Sequence, residues 1–187
     1  RVHGALDEAS CAALRQAVDA RRSVAKDSVD HSAEHQLNLT LEELRALIGA
    51  NAVASLLRLP QELQVALEGE ERAPAEVGAG FRIECFVRRY KREERPWIQF
   101  HCDKAAFTCN VALADDALHD GGRLVCVAGG ELHEIARREG EATVHRSSLL
   151  HAVSAMQCGV RYSMILFFHR ITTRATAPAA APALELA

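Results

Sequence analysis

The pattern of apolar and polar positions divides the chain into a helical first third and a strand-rich remainder. From Asp7 to Arg22, alanine, leucine and valine recur at helical spacing with charged residues opposite, which predicts an amphipathic helix. Thr40 followed by Glu43 is typical of a capping box, and the apolar positions after it predict a second helix. Further helical turns are predicted for Ala52–Leu59 and, after a restart at the intervening proline, for Gln61–Leu67.

From Phe81 onward, short runs rich in β-branched and aromatic residues predict strands separated by turns. These runs are "FRIECFVRRY", "FTCNVALA", "RLVCVA", "ELHEIAR", "EATVHR" and "VRYSMILFFHR". The sequence "AGGEL" at 128–132 predicts a hairpin turn, and "HDGGRL" at 119–124 predicts another turn. Many short strands at regular spacing favour a β-sandwich or jelly roll over a parallel sheet.

Length and composition predict one globular domain, and the helical and strand patterns place it in the α+β class with a mainly β core. The 187 residues, 49% of them hydrophobic, suit a single domain with a sizeable core. We expect this domain to span 1–171, with a helical lead at 1–75 and a jelly-roll core at 80–171. The Ala/Pro-biased segment 172–187 lacks a packing pattern and is predicted to be a flexible tail.

Charge and cysteine content narrow the classes of partner. A net charge of -3 and a pI near 6.3 argue against a nucleic-acid binder, and the basic run "RRYKREER" at 88–95 is predicted to be a solvated turn. No run approaches the roughly 18 apolar residues that span a bilayer. The six cysteines form no C-x-x-C pair, which favours reduced thiols and a cytoplasmic location.

The stretch "WIQFHCDKAAFTCNVAL" at 97–113 places two potential metal ligands inside a strand-like run. If the strand is regular, His101 and Asp103 share one face and Cys102 lies on the other. Mononuclear iron sites that activate oxygen use two histidines and one carboxylate. A second histidine must therefore come from elsewhere in the chain.

Five downstream histidines are candidates for this third ligand. His119 lies in a turn and His133 in a hairpin, so both are expected to be exposed, and His169 ends the last strand. The residues alone leave two candidates open, His145 and His151.

The last predicted strand carries a potential anion site. Arg161 and Ser163 alternate on one face of this strand, where a guanidinium and a hydroxyl can hold a carboxylate by charge-assisted hydrogen bonds. A metal site with a buried carboxylate anchor is the combination that a keto-acid cosubstrate requires.

Over roughly Phe81 to Arg170, the chain resembles the iron(II)- and 2-oxoglutarate-dependent dioxygenases, in particular the prolyl 4-hydroxylase-like branch. The matching features are the H-x-D pair, "GGRL" at 121–124, the segment from "GEATVH" to "LHAV" at 140–153, and "GVRYS" at 159–163. Two positions depart from that branch. It usually has lysine where this chain has Arg161, and an aromatic residue near the position of His145.

The resemblance implies a double-stranded β-helix (jelly roll) and an enzyme that hydroxylates an unactivated C–H bond of a peptide side chain or small metabolite. Succinate and carbon dioxide would be released, with iron(II), 2-oxoglutarate and dioxygen required and ascorbate as an optional reductant. The implied site consists of iron bound by His101, Asp103 and His151, and 2-oxoglutarate held by Arg161, Ser163 and Tyr90. The alternative is a non-catalytic jelly-roll module that binds metal and 2-oxoglutarate.

Overall fold

The computed structural model describes residues 1–68 and 80–171, and the predicted tail at 172–187 lies outside this range. The described residues form three α-helices, nine strands and one short 3₁₀ turn at Asp116–Leu118. In chain order these are α1 (Glu8–Arg21), β1 (Gln36–Leu39), α2 (Leu41–Ile48), α3 (Ala50–Glu68), β2 (Phe81–Tyr90), β3 (Ile98–His101), β4 (Phe107–Ala112), β5 (Leu124–Ala128), β6 (Glu131–Ile135), β7 (Ala142–Arg146), β8 (His151–Val153) and β9 (Arg161–Arg170).

The strands form two antiparallel sheets. The major sheet has the order β1-β2-β9-β4-β7, and the minor sheet has the order β3-β8-β5-β6. Neighbours in each sheet are mostly distant in sequence, as expected when one chain alternates between the two layers of a jelly roll. The predicted α+β class with a jelly-roll core is confirmed.

The first two helices begin where the sequence predicts, whereas the third begins two residues earlier than predicted, at Ala50, and is not divided. The side chain of Asp7 caps α1, and Thr40 and Glu43 form both bonds of the capping box. The predicted restart at Pro60 is wrong, because α3 runs through this residue without interruption. Proline removes one backbone hydrogen bond, but the buried leucines of α3 hold the helix against the sheet.

The prediction of a helical lead at 1–75 is wrong at Gln36–Leu39, which forms β1 at the edge of the major sheet. Leu37 and Leu39 pack into the core, while Asn38 is exposed. This four-residue strand is ordered by its pairing with β2, a partner distant in sequence, and local helical spacing does not reveal such a partner.

One hydrophobic cluster joins the three helices to one face of the major sheet. Free cysteines contribute to it as small apolar residues, and burial raises the pKa of the Cys11, Cys85 and Cys109 thiols to about 12. Cys102 and Cys158 are exposed. Within the described ranges, no helix is both long and apolar enough to cross a bilayer.

The basic run at 88–95 is a solvated turn only in part, because Arg92 and Glu93 are exposed but both ends of the run are buried. Arg95 is fully buried and forms ion pairs with Asp30 at 2.8 Å and with Asp27 at 3.3 Å. Arg88 is also buried and reaches Asp27 at 2.6 Å. These cations tie the segment before β1 to the sheet, because a buried charge is tolerated only when it is paired.

In the turn at 119–124, the backbone of Gly121 packs closely against the backbone of Ala155. Gly121 has a φ of 69°, and a Cβ at this position would collide with the backbone carbonyl of Ala155. Gly129, in the β5–β6 hairpin, has a φ of 60° but open space around it. We expect Gly121→Ala to lower the free energy of unfolding by about 3 kcal/mol or more and Gly129→Ala by about 1 kcal/mol, measured by urea denaturation. Equal losses would show that the backbone angle alone matters.

Candidate active site

Three side chains from different segments converge between the two sheets. One ligand atom from each of His101, Asp103 and His151 lies within 4.8 Å of the others, so the three could bind one ion. His101 ends β3 and His151 begins β8, and the two are paired across these strands with ring centroids 4.4 Å apart. We call these residues the ligand triad.

A β-bulge aims His101 into the site. Ile98 pairs with Val153 and His101 pairs with His151, so β3 has one residue more than β8 between the two pairs. Such a bulge changes which side chains point inward, and here both Ile98 and His101 face the interior pocket.

Asp103 reaches the site by a different route from the one that strand alternation predicts. The strand ends at His101, and the backbone N–H of Asp103 donates to the carbonyl of Ser147 at 2.9 Å. Cys102 is exposed, with its Sγ 3.3 Å from the carbonyl of Ser148. The expectation that Cys102 points away from the two ligands is confirmed, although the alternation argument for Asp103 is wrong.

Backbone contacts fix the orientation of both imidazoles. Nδ1 of His101 lies 2.8 Å from the carbonyl of Gln99, and Nδ1 of His151 lies 2.9 Å from the carbonyl of Leu149. Each Nδ1 must carry its proton to donate to a carbonyl, which leaves the lone pair on Nε2. The two Nε2 atoms lie 3.5 Å and 3.6 Å from the carboxylate oxygens of Asp103.

The electrostatics favour the metal-binding forms of Asp103 and His151. Burial alone would raise the pKa of Asp103, but His101, His151 and Thr108 lower it overall, so the carboxylate is ionised at neutral pH. Burial lowers the pKa of His151, which favours the neutral ligand form. For His101, burial acts downward, but the Asp103 carboxylate and the Gln99 carbonyl raise its pKa overall.

Thr108 on β4 supports the carboxylate. Its hydroxyl donates to Oδ2 of Asp103 at 2.6 Å and lies 2.9 Å from the hydroxyl of Ser147. Groups that orient a metal ligand typically contribute 10- to 100-fold to metal affinity.

We therefore expect Thr108→Val to weaken binding of iron(II) by about tenfold, because Asp103 would lose the hydrogen bond that orients it. Competition against a chelator would measure this change. Thr143→Val is the matched control, because Thr143 lies on the next strand and its buried hydroxyl has no partner in the described residues. An equal loss in the two variants would contradict the role given to Thr108.

His145, the rival third ligand, lies beside the ligand triad but outside it. It is buried on β7 opposite Thr108, with its ring centroid 5.0 Å from that of His151. Its Nδ1 contacts the carbonyl of Arg146 at 2.9 Å, and burial lowers its pKa. Among the described residues, the grouping of ligand atoms includes His151 and not His145.

Arg161, Ser163 and Tyr90 lie together at another part of the same interior. Tyr90 pairs with Arg161 across β2 and β9, and the guanidinium lies 4.7 Å from the centre of the Tyr90 ring. Within the described structure, the three guanidinium nitrogens of Arg161 and the hydroxyl of Ser163 are buried without a hydrogen-bond partner. Such groups are costly to bury, so this end of the interior is suited to an anion.

Two cavities among the described residues adjoin the ligand triad. A narrow internal pocket connects the ligand triad with Tyr90 and is otherwise lined mainly by the apolar side chains Leu124, Val153 and Ile165. A wider cleft of about 590 Å³ lies between the β1–β2 edge of the major sheet and the segment 26–34, and it reaches His101 and Asp103.

For the other three candidate histidines, the predicted exposure is correct in one case and wrong in another. His133 is exposed, as predicted. His119 is buried, contrary to the prediction, because its ring lies 3.3 Å from the carboxylate of Asp116 and its Nδ1 contacts the carbonyl of Gly121. His169 is partly buried and pairs with Glu84.

Sequence reasoning missed several buried polar residues, among them Thr108, Asp116 and Arg137. Thr108 could have been found, because Thr108 and Asn110 are polar residues at alternate positions of a strand whose other residues are apolar. Asp116 and Arg137 lie in connecting segments, where charged residues are ordinarily solvated, so the sequence carries no signal of their burial.

Comparison with known proteins gives similarity in structure only. No family model matches the chain, and no curated protein matches it. A prolyl-4-hydroxylase from Pseudomonas putida matches with a TM-score of 0.63 at 19% identity, covering 91% of each chain.

Two further solved structures are similar over most of their length. SnoK, a non-heme α-ketoglutarate-dependent carbocyclase from nogalamycin biosynthesis, has a TM-score of 0.56 at 14% identity, covering 88% of this chain and 76% of its own. A prolyl hydroxylase from Trichoplax adhaerens, in complex with a hypoxia-inducible-factor peptide fragment, has a TM-score of 0.56 at 14% identity, covering 90% of this chain and 82% of its own. The chain therefore has the fold of the 2-oxoglutarate- and iron(II)-dependent oxygenases, prolyl hydroxylases among them.

Proposed function

We propose that the chain is an iron(II)- and 2-oxoglutarate-dependent dioxygenase that hydroxylates an unactivated C–H bond. One observation supports this proposal above the others. A metal-ligand triad shares one interior with the buried guanidinium of Arg161, which has no hydrogen-bond partner among the described residues, and the fold is known from oxygenases with this cofactor requirement.

The residues present fit both groups. Two imidazoles and one carboxylate form the ligand set typical of oxygen-activating iron, and they leave positions free for other ligands. Arg161 and Ser163 offer a distal carboxylate buried donors that form no hydrogen bond to other described residues, with Tyr90 packed against the guanidinium. We assign His101, Asp103 and His151 to the metal and the other three residues to 2-oxoglutarate.

When bound, iron and 2-oxoglutarate supply the oxidation of the substrate by dioxygen, with succinate and carbon dioxide as the other products. The chain's own residues orient and shield this chemistry. The carbonyls of Gln99 and Leu149 hold the imidazoles, and Thr108 holds the carboxylate. The apolar lining of the internal pocket limits access of water to the reacting groups.

We propose that the substrate enters through the cleft between the β1–β2 edge and the segment 26–34. A peptide side chain and a small metabolite both suit this cleft, and one structure of similar fold contains a peptide fragment while another belongs to a carbocyclase. We further propose a single domain over residues 1–171, a cytoplasmic location, no nucleic-acid or membrane partner, and ascorbate as an optional reductant.

The test is formation of succinate from 2-oxoglutarate with iron(II) and oxygen, with and without ascorbate. We expect slow turnover even without substrate, and none in His101→Ala, whereas His133→Ala should match the wild type because this histidine is exposed. Stabilisation of the protein by iron and 2-oxoglutarate without turnover would identify a non-catalytic binding module instead. Turnover that is unaffected by His101→Ala would contradict the proposal.

A further inference from the structure

Arg161 is one member of a group of buried charges. Arg137, between β6 and β7, is 2% exposed, and Asp116, in the 3₁₀ turn, is also 2% exposed. We call Arg161, Arg137 and Asp116 the charge cluster.

Asp116 and Arg137 hold each other in place. The backbone N–H of Arg137 donates to Oδ2 of Asp116 at 2.9 Å, and Nε of Arg137 lies 3.6 Å from the same oxygen. Nη1 of Arg137 donates to Oδ1 of Asn110 at 2.8 Å. Asn110 faces the internal pocket that begins at the ligand triad, so Arg137 contacts the wall of this pocket.

Arg137 has unused donors, as Arg161 does. Its Nε and Nη2 atoms are shielded from solvent and lack a hydrogen-bond partner in the described residues. Burial first, and then the nearby Arg161, lower the pKa of Arg137 to about 10. The same Arg161 helps to lower the pKa of Asp116 against the effect of burial. The three side chains therefore act on one another electrostatically.

The charges of the cluster do not balance. Arg137 pairs with Asp116, and Arg161 is a second buried guanidinium close enough to act on both, so two positive charges are set against one negative charge. A buried excess of positive charge is unfavourable unless an anion compensates it. One further carboxylate would bring the two arginines and Asp116 to neutrality.

We propose that Arg137 and Asp116 are positioning residues that determine the net charge around Arg161. Through this charge the pocket selects a 2-oxo acid whose distal group is a carboxylate rather than a neutral amide. This inference rests on the proposed function. It assigns the selection of the distal group to the whole charge cluster, not to Arg161 and Ser163 alone.

The test compares 2-oxoglutarate with 2-oxoglutaramate, in which an amide replaces the distal carboxylate. Isothermal titration calorimetry under nitrogen, with iron(II) present, gives both dissociation constants without turnover. The preference is the dissociation constant of 2-oxoglutaramate divided by that of 2-oxoglutarate. Arg137→Gln removes a positive charge and should lower this ratio about tenfold, whereas Asp116→Asn should raise it by a similar factor. Arg138→Gln and Asp120→Asn are charge-matched controls at exposed neighbouring positions and should leave the preference unchanged.

The two variants are expected to change the preference for 2-oxoglutarate in opposite directions, which structural damage to the pocket would not do. If Arg137→Gln does not fold, Asp116→Asn alone still decides, because a damaged pocket would not discriminate better than the wild type. An unchanged preference in Asp116→Asn, or a change in the same direction in both variants, would overturn the inference. If the wild type binds no 2-oxoglutarate, the proposed function fails and this inference fails with it.

Discussion

Replacement of His151 by alanine is expected to abolish succinate formation. His151 supplies one of the three ligand atoms that converge within 4.8 Å, and its Nδ1 contact with Leu149 leaves Nε2 free for a metal. Loss of a group that only orients a ligand costs 10- to 100-fold, so loss of a ligand should lower both iron affinity and kcat/KM by more than about 100-fold. Iron titration and a coupled succinate assay measure the two quantities.

The matched control is His145→Gln, because His145 is a buried histidine with its ring centroid only 5.0 Å from that of His151. We expect this variant to bind iron within about tenfold of the wild type, since it retains the ligand triad. If His145→Gln loses iron while His151→Ala keeps it, the two histidines have exchanged roles and the assignment of the third ligand is wrong.

Replacement of Arg161 by methionine is expected to have two opposite effects. Affinity for 2-oxoglutarate should fall by more than about 100-fold, because the buried guanidinium is the principal partner proposed for the distal carboxylate. The free energy of unfolding of the ligand-free protein should rise by about 1–3 kcal/mol, because three buried nitrogen atoms without hydrogen-bond partners among the described residues would be removed. Calorimetric titration and urea denaturation measure these two effects.

The control for Arg161→Met is Arg92→Met, at an exposed position in the turn after β2. It should change the affinity for 2-oxoglutarate and the free energy of unfolding little, since it lies outside the interior. If Arg161→Met destabilises the ligand-free protein, the guanidinium contributes to folding and the argument from its missing partners is wrong.

Strand periodicity predicted the inner face of the major sheet well. Arg161 and Ser163 lie on one face of β9, as alternation requires, and both are buried. The run from Phe81 to Tyr90 forms one continuous strand, as its composition indicates. These predictions succeeded because side-chain direction in a strand depends on local backbone geometry.

The errors share a physical cause, which is a partner distant in sequence. The sequence predicts a solvated Arg95, but Arg95 is buried and paired with two carboxylates. These carboxylates lie more than sixty residues earlier in the chain, so the local sequence does not reveal them. The strand at Gln36–Leu39 forms only because β2 pairs with it. Asp103 was assigned to a regular strand, but a contact with Ser147 places it. Local patterns carry no information about such contacts.

The positions of β3 and β9 within their sheets imply an order of opening. β9 is paired on both sides, by β2 and β4, whereas β3 is a four-residue strand at the edge of the minor sheet. Backbone amides of edge strands exchange with solvent through local fluctuations, while those of a central strand exchange mainly on global unfolding. His101 therefore lies on a part of the molecule that opens early, and Arg161 begins a strand that opens late. On heating, affinity for a metal should therefore fall at a temperature at which Arg161 and Ser163 still keep their native positions.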